Sequence, residues 1–287
     1  MPRLGAHMSI AGGVDRAILR GHSIGCEAIQ IFTKSNNQWR ATPLTDETLA
    51  RFHANRQATG IGPIVGHDAY LINLASPDPA LWRKSVDAFV EEMERAGRMK
   101  LPYLVAHPGA HTGAGEKAGV RRVAQAIDEI HERTAHVPTM ILLEITAGAG
   151  STLGGSFEQL AEIIAQTRHA ERVGVCFDTS HAFAAGYDLR TPEAYAATFD
   201  AFDRILGLQR LRVFHLNDSR RELGSRVDRH DHIGKGFLGL EAFRLLLNDP
   251  RFADRPMILE TPKGPDMAED VENLRVLRAL MGSTSPA

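Results

Sequence analysis

The stretch TMILLEITAGAGSTLGGSFEQLAEIIAQTRHAERVGVCFD (residues 139–178) contains a strand, a helix and a second strand, in that order. Its two ends, TMILLE and VGVCFD, are continuous apolar runs, as expected of parallel strands that are covered on both faces. Between them, Ser156 and Gln159 form a capping box, which predicts the start of a helix. The apolar face of that helix consists of Leu160, Ile163 and Ile164. The stretch therefore predicts two parallel strands joined by a helix.

Similar apolar runs recur from one end of the chain to the other. In chain order they are RLGAHM, EAIQIF, GPIVGHD, YLVAHP, TMILLE, VGVCFD, LRVFHLN and PMILE. The segments between them have helical periodicity, and eight strands that alternate with helices predict an α/β fold, a single (β/α)₈ TIM barrel. A doubly wound open sheet is the main alternative, but SIAGG after the first strand is too short for its G-x-G-x-x-G phosphate loop. We expect residues 1–282 to form one TIM-barrel domain and residues 283–287 a short flexible tail.

The composition is that of an ordinary soluble globular enzyme. The chain has 287 residues, of which 43% are hydrophobic and 24% are charged. No apolar run approaches the roughly 18 residues that a membrane-spanning helix needs, and the first residues lack the features of a signal peptide. We therefore expect a cytoplasmic protein with no membrane partner, and a monomer. The formal net charge of -2 does not favour nucleic-acid binding through bulk electrostatics.

The cysteines and histidines limit the kinds of metal site. Cys26 and Cys176 form no spacing pattern, so we expect two reduced, buried thiols, with one disulfide as the alternative. Two cysteines exclude a zinc site made of thiolates, and any metal must use nitrogen and oxygen ligands. The chain has 13 histidines. Five of them lie in segments that we expect to be solvated: His22, His53, His131, His136 and His169.

Nine histidine and acidic residues follow the predicted strands, at the rim where TIM-barrel enzymes hold their active sites. They are His67, His107, Glu144, Asp178, His181, His215, Asp228, His230 and Glu260. Alone, each has an ordinary structural explanation, such as a hydrogen-bonded rim histidine. Together, without matching lysines, they place several negative charges against one another, and divalent cations would neutralise these charges. Imidazole and carboxylate suit Zn²⁺, Mn²⁺ or Fe²⁺. Nine ligands are too many for one tetrahedral zinc ion and enough for two or three.

Several long motifs resemble those of the endonuclease IV family of apurinic/apyrimidinic (AP) site nucleases. They are GAHMSIAGG, FTKSNNQWR, HDAYLINLASP, AHPGAH, LEITAGAGSTLG, GVCFDTSHAFAAGYDLRTP, FHLNDSRRELGSRVDRHDHIGKGFLG and ILETP. The resemblance covers nearly the whole chain, so it implies that residues 1–282 are a single AP endonuclease domain. It implies a zinc-dependent TIM-barrel hydrolase of base excision repair. Such an enzyme cuts DNA 5′ to an abasic site, leaves a 3′-hydroxyl and a 5′-deoxyribose phosphate, and trims blocked 3′ ends.

The resemblance also implies three zinc ions per chain, with Mn²⁺ as a substitute. The implied ligands are His67, His107 and Glu144 for the first ion; Glu144, Asp178, His215 and Glu260 for the second; and His181, Asp228 and His230 for the third. Glu144 bridges the first two ions, and His232 is a lesser candidate for the third. Glu144 and Glu260 are the expected catalytic residues, and Glu260 is expected to help orient the attacking hydroxide.

The implied partner is double-stranded DNA with abasic sites or blocked 3′ ends, without an obligate protein partner. The expected DNA contacts are Lys34, Asn37, Gln38, Arg40, Tyr70, Arg226 and Arg229. For the basic residues, and for the neighbouring Arg220 and Arg221, a solvated surface is an equal alternative. Tyr70 matches a family residue that probes the DNA stack. A second such residue, often arginine, is replaced here by Asn37. Gln38 or Trp39 is expected to share its task, unless Trp39 packs under the loop.

Two other functions are compatible with the sequence. A metal-dependent sugar isomerase or epimerase has a similar barrel, but it needs fewer metal ligands and a lysine or carboxylate base above an open sugar. A non-catalytic DNA-damage binder would retain the barrel, although none of the expected ligands is missing from this chain.

Overall fold

Eight parallel strands close into a barrel in the computed structural model, which describes residues 1–282. The barrel strands are β1 (Arg3–His7), β2 (Ala28–Phe32), β3 (Ile64–His67), β4 (Tyr103–Ala106), β5 (Met140–Glu144), β6 (Val173–Asp178), β7 (Leu211–Leu216) and β10 (Pro256–Leu259). Strand β10 pairs with β1 and closes the barrel. Two short strands, β8 (Asp218–Ser219) and β9 (His230–Asp231), form a separate antiparallel ribbon. The predicted (β/α)₈ barrel is confirmed, and the open sheet is excluded.

Each barrel strand is followed by at least one helix. The helices are α1 (Val14–Ser23), α2 (Asp46–Thr59), α3 (Pro79–Arg98), α4 (Glu116–Arg133), α5 (Phe157–Gln166), α6 (Thr179–Ala185), α7 (Pro192–Ile205), α8 (Gly239–Leu247) and α9 (Ala268–Leu280). Short 3₁₀ helices precede β6, β7 and β10: Ala170–Arg172, Leu208–Arg210 and Pro250–Phe252. Within residues 1–282, no helix has both the length and the apolar character needed to cross a membrane. The predicted tail, residues 283–287, lies outside the described residues.

Helix α5 begins where the capping box predicts. The hydrogen bond to Ser156 is present, but the Gln159 side chain bonds to other residues than the box predicts. The Ser156 hydroxyl accepts a hydrogen bond from the backbone N–H of Gln159 at 3.2 Å. The Gln159 side chain reaches past Ser156 and accepts from the N–H groups of Gly154 and Gly155 at 2.9 and 3.0 Å. It therefore fixes the loop between β5 and α5 in addition to the helix.

Seven side chains form an apolar layer inside the barrel, one from each barrel strand except β1. They are Ala28, Val65, Val105, Leu142, Cys176, Val213 and Ile258. Strand β1 has Gly5 in this region, where a Cβ would lie 1.7 Å from the Ala28 carbonyl oxygen. Because successive strand residues face opposite sides, the residue two positions further along each strand also points inward, towards the carboxyl-terminal mouth. These residues are Gln30, His67, His107, Glu144, Asp178, His215 and Glu260.

The main hydrophobic core lies between the strands and the outer helices. Helix α7 packs there through Tyr195, Phe199 and Phe202. Both cysteines are buried and free, as expected. One prediction for the outer shell is wrong: His131 on α4 is 1% exposed instead of solvated. Neither of its ring nitrogens has a hydrogen-bond partner among the described residues.

Candidate metal centre

The nine predicted ligands converge at the carboxyl-terminal mouth of the barrel. Six of them follow the inward-facing pattern of the strands described above. His181 is brought to the mouth by Asp178, whose side chain caps α6 and accepts from the His181 N–H at 2.8 Å. The remaining two, Asp228 and His230, lie in the segment that ends in strand β9. The carboxylate at the end of β6 therefore also holds the helix that carries the next ligand.

Within residues 1–282, three groups of side chains have ligand atoms within 4.8 Å of one another. The groups are His67, His107 and Glu144; Glu144, Asp178, His215 and Glu260; and Asp178, His181 and His230. The first two contain the same residues as two of the predicted sets. The third contains Asp178 instead of the predicted Asp228. Asp228 nevertheless lies beside it, with carboxylate oxygens 3.2 Å from Nε2 of His181 and 3.4 Å from Nε2 of His230.

Glu144 lies at the centre of this arrangement and is fully buried. Its Oε2 is 3.2 Å from Nε2 of His67 and 3.2 Å from Nε2 of His107. Its Oε1 is 3.0 Å from Nδ1 of His181 and 3.2 Å from Nδ1 of His215. One carboxylate thus faces four imidazoles, two on each oxygen, which is the position that a bridging ligand occupies.

Backbone carbonyls determine which ring nitrogen is free in three of the histidines. Nδ1 lies 2.9 Å from the Asp68 carbonyl oxygen in His67, 3.1 Å from that of Ile145 in His181, and 3.2 Å from that of Glu260 in His230. A carbonyl oxygen only accepts, so Nδ1 carries the proton in each ring. Nε2 is then the nitrogen that faces the other ligands, and a metal ion would bind it in place of a proton.

Electrostatics favours charged ligands in this centre. Burial alone raises the pKa of Glu144, but the imidazoles of His215 and His107 outweigh this effect and hold the pKa well below its usual range. Burial lowers the pKa of His67, yet hydrogen bonds to Asp68 and Glu144 raise it well above its ordinary value. Glu144 is therefore ionised, and protons on the imidazoles balance its charge. Cations bound to these groups would replace those protons.

The donor set fits divalent metal ions. It consists of imidazole nitrogens and carboxylate oxygens. Such ligands suit Zn²⁺ and Mn²⁺. The number of groups also matters, because a single tetrahedral ion would use only one of the three.

Two buried amides that were not predicted from the sequence form hydrogen bonds with the ligand residues. Gln30 donates to Oε1 of Glu260 at 2.6 Å, and its carbonyl oxygen lies 2.7 Å from Nε2 of His215. Asn217 donates to Oδ2 of Asp178 at 2.6 Å and accepts from the N–H of Glu260 at 3.0 Å. The only sequence signal for Gln30 was a polar residue within the apolar run EAIQIF. His232 lies outside the three groups, and its Nδ1 contacts the Asn273 amide at 3.1 Å.

A cavity of about 220 Å³ opens above the ligands, and Tyr70 forms part of its wall. The Tyr70 side chain is 68% exposed, and its ring centre lies 6.5 Å from that of His67. A larger cleft of about 710 Å³ adjoins the cavity and shares His7, Phe32 and Lys263 with it. An exposed aromatic ring therefore stands directly beside the candidate metal centre.

The other predicted DNA contacts lie in exposed loops, with one exception. Exposed side chains are those of Asn37, Gln38, Arg40, Arg226 and Arg229. The exception is Lys34, whose side chain is only 1% exposed and whose ammonium donates to the Trp39 carbonyl at 2.8 Å. The structure thus places Lys34 beneath the loop after β2 and not on its exposed surface. Trp39 packs against the core, with Nζ of Lys84 4.2 Å from its ring centre.

Comparisons with known proteins relate the whole chain to one family. A family model described as a xylose isomerase-like TIM barrel matches residues 19–280. A protein of Chloroflexus aggregans named probable endonuclease 4 is 57% identical over 285 residues, which is 99% of this chain and 100% of the relative. A protein of Geobacter sulfurreducens with the same name is 54% identical over 278 residues, or 97% of this chain and 94% of the relative.

Solved structures show the same relationship. Endonuclease IV from Thermus thermophilus is 42% identical, with a TM-score of 0.86, and the match covers 97% of this chain and 98% of that one. A D-tagatose 3-epimerase-like protein has a TM-score of 0.75 at 18% identity, with 97% of this chain and 96% of that chain covered. At that identity, the second match shows a shared fold alone.

Proposed function

The chain belongs to the endonuclease IV family, and from this membership we propose that it is a metal-dependent AP endonuclease. It hydrolyses the phosphodiester bond 5′ to an abasic site in DNA and leaves a 3′-hydroxyl and a 5′-deoxyribose phosphate. It also trims blocked 3′ ends, and both reactions serve base excision repair. The observation that carries the proposal is the convergence of nine imidazoles and carboxylates around Glu144 at the barrel mouth.

Three Zn²⁺ ions are the proposed cofactors, with Mn²⁺ as a substitute. The first would be held by His67, His107 and Glu144, the second by Glu144, Asp178, His215 and Glu260, and the third by His181, Asp228 and His230. In His67, His181 and His230 a backbone carbonyl binds Nδ1 and Nε2 faces the other ligands, which supports this assignment. Bound zinc supplies Lewis acidity, which lowers the pKa of water to about 7 and stabilises negative charge on a phosphate.

Glu144 and Glu260 are the proposed catalytic carboxylates. Burial raises the pKa of Glu260, but its contacts with His215 and His7 outweigh this effect and hold the pKa well below its usual range. Glu260 therefore stays ionised at the edge of the cavity, where Gln30 fixes one of its oxygens. In this position it would orient the nucleophile towards the phosphate. Glu144 would keep the first two ligand groups at a constant separation.

The exposed loops around the mouth are the proposed DNA-binding surface. Tyr70, Asn37 and Gln38 would enter the base stack at the lesion, where an absent base lowers the cost of distortion. Arg40, Arg226 and Arg229 would contact phosphates on either side. Local positive charge of this kind steers DNA to a protein even when its net charge is slightly negative.

The alternatives explain fewer of the observations. A sugar epimerase shares the fold, but one or two metal ions would leave at least one of the three ligand groups without a role. A non-catalytic binder would not need the complete set of nine ligands. We further propose that residues 1–282 act as one catalytic unit, as a monomer in the cytoplasm without an obligate protein partner.

Cleavage of a duplex that carries one abasic-site analogue tests the proposed function. The purified chain should cut the lesion strand once, and the 5′ fragment should end in a hydroxyl that a DNA polymerase extends. The same duplex with a normal nucleotide is the control and should stay intact. Binding without scission, or a cut on the 3′ side of the lesion, would contradict the proposal.

A further inference from the structure

We propose that Glu92 is a positioning residue that fixes two DNA-probing loops relative to each other. The loops are residues 33–45, which carry Asn37 and Gln38, and residues 68–78, which carry Tyr70. The role of these loops in DNA recognition rests on the proposed function. The contacts that carry the inference are independent of that function, because they connect parts of the chain that are distant in sequence.

Glu92 contacts both loops from helix α3. Its side chain has no exposed surface. Oε2 accepts a hydrogen bond from the Thr33 hydroxyl at 2.8 Å, and Oε1 accepts from the backbone N–H of Ala69 at 3.0 Å. One buried carboxylate is therefore bound to the start of the first loop and to the start of the second. An outer-helix residue with only a packing role would have no need of a charge in this position.

Lys34 extends this contact to the far side of the first loop. Its Nζ lies 4.0 Å from Oε1 of Glu92 and 3.8 Å from Glu91, and it donates to the Trp39 carbonyl at 2.8 Å. A buried ammonium is costly unless an opposite charge lies close to it. Burial raises the pKa of Glu92 to about 7, so above that pH its charge permits a buried lysine to hold the backbone at Trp39.

The exposed tip of the first loop lies between two residues, Asn36 and Trp39, whose carbonyls accept hydrogen bonds. The carbonyl of Asn36 accepts from the N–H of Tyr70 at 3.1 Å, and the carbonyl of Trp39 accepts from Lys34. Only Asn37 and Gln38 lie between these residues, and both are exposed. The Asn36–Tyr70 hydrogen bond joins the two loops directly, so a shift of either loop moves the probing residues of both.

Two substitutions test this role. Glu92→Gln keeps the volume, and its amide can accept from the Ala69 N–H and donate to the Thr33 hydroxyl, but it removes the charge that pairs with Lys34. Lys34→Met removes the donor to Trp39 and leaves the bonds from Glu92 to Thr33 and Ala69. Asp128→Asn is the matched control, because Asp128 is also a buried helix carboxylate that accepts from a backbone N–H, that of Arg168 at 2.8 Å. Its partner segment, between α5 and β6, carries none of the proposed DNA contacts.

The position of the loop is measured without DNA. The chain has two tryptophans, so a Trp82→Phe background leaves Trp39 as the only tryptophan fluorophore. We expect acrylamide to quench Trp39 more strongly in the Glu92→Gln and Lys34→Met variants than in the parent, and equally in the Asp128→Asn variant. Equal quenching in all four proteins would overturn the inference. Either of the two test variants is sufficient if the other does not fold.

Steady-state cleavage of the abasic duplex gives the second readout. In both test variants the KM should rise about tenfold, as expected for the loss of a buried ion pair at a recognition loop, while kcat at saturating DNA stays nearly constant. An unchanged KM, or a fall in kcat alone, would overturn the inference. If the parent itself does not cleave abasic DNA, the proposed function fails, and the quenching experiment still tests the loops.

Discussion

The carbonyl oxygen of Gln30 lies 2.7 Å from Nε2 of His215, although the two residues are 185 positions apart in sequence. The amide orientation is fixed because the other end of Gln30 donates to the Glu260 carboxylate at 2.6 Å. His215 therefore donates from Nε2 to Gln30, and its Nδ1, which lies 3.2 and 3.1 Å from Glu144 and Glu260, is the nitrogen that a metal ion would bind in place of a proton. Gln30 thus prepares His215 to bind a metal ion at Nδ1.

Gln30→Met should lower the affinity for the second metal ion by about 10- to 100-fold, because the imidazole and the carboxylate lose their common orienting group. Titration of the metal-free protein with Zn²⁺ in the presence of a competing indicator measures the affinity. Asn273→Leu, which removes an amide that contacts His232 outside the three ligand groups, is the control. Equal affinity in Gln30→Met and the wild-type protein would show that Gln30 does not orient the ligands.

Glu144→Gln should abolish cleavage and leave the barrel folded. The substitution removes the carboxylate that faces four imidazoles. Mutation of a residue that only hydrogen-bonds to a metal ligand lowers activity by up to roughly 100-fold, and the loss in kcat here should be larger. Circular dichroism checks the fold, and the cleavage assay gives the rate. Glu47→Gln, at a side chain that is 84% exposed, is the control and should keep full activity. Substantial cleavage by Glu144→Gln would remove Glu144 from the mechanism.

Tyr70→Ala should weaken recognition of the lesion with little effect on stability. Stacking of a base on an aromatic ring contributes about 1–3 kcal/mol, so the KM for abasic DNA should rise about tenfold or more. The melting temperature should hardly change, because the side chain is 68% exposed. Kinetics on the abasic duplex and binding to undamaged duplex are the two measurements. A similar loss for both DNAs would mean that Tyr70 contributes to general DNA binding and not to lesion recognition.

The stability of the fold should fall in mild acid because of His131. Burial, followed by the Arg172 guanidinium, lowers the pKa of His131 from 6.5 to about 4. Between these values the unfolded chain binds a proton that the folded chain does not, so the free energy of unfolding decreases as the pH falls. Between pH 7.5 and pH 5 the loss from this group is about 2 kcal/mol. This stabilising contribution is fully present above pH 6.5 and absent below about pH 4.

Urea denaturation of the wild-type protein and of His131→Phe measures this effect. The variant should lose about 2 kcal/mol less than the wild-type protein between the two pH values. His22→Phe serves as the control, because His22 is exposed on α1 and its replacement leaves the buried imidazole of His131 in place. Parallel curves for wild type and His131→Phe would contradict the neutral, buried state of His131.

The barrel and most of the candidate centre were predictable from the sequence for a local reason. Continuous apolar runs reveal buried parallel strands, and a polar residue at the end of such a run points into the barrel mouth. His67 and Glu144 could therefore be found without knowledge of their partners. Asp178 and His181 could be found together because they belong to one helical turn.

The remaining features depend on contacts between distant segments. Lys34 was expected at the surface, but a carboxylate on α3, at Glu92, allows it to be buried. Gln30 was overlooked because its role exists only after the barrel closes and brings Glu260, 230 positions away, beside it. His131 was expected in solvent because one polar residue on a helix does not reveal which face the helix buries.

Elemental analysis of the purified full-length chain tests the central claim most directly. The three ligand groups around Glu144 predict a ratio of roughly three zinc ions per chain. Manganese in place of part of the zinc would leave the total unchanged. A total of one metal ion per chain, or none, would contradict the three-ion centre and the phosphodiester chemistry that depends on it.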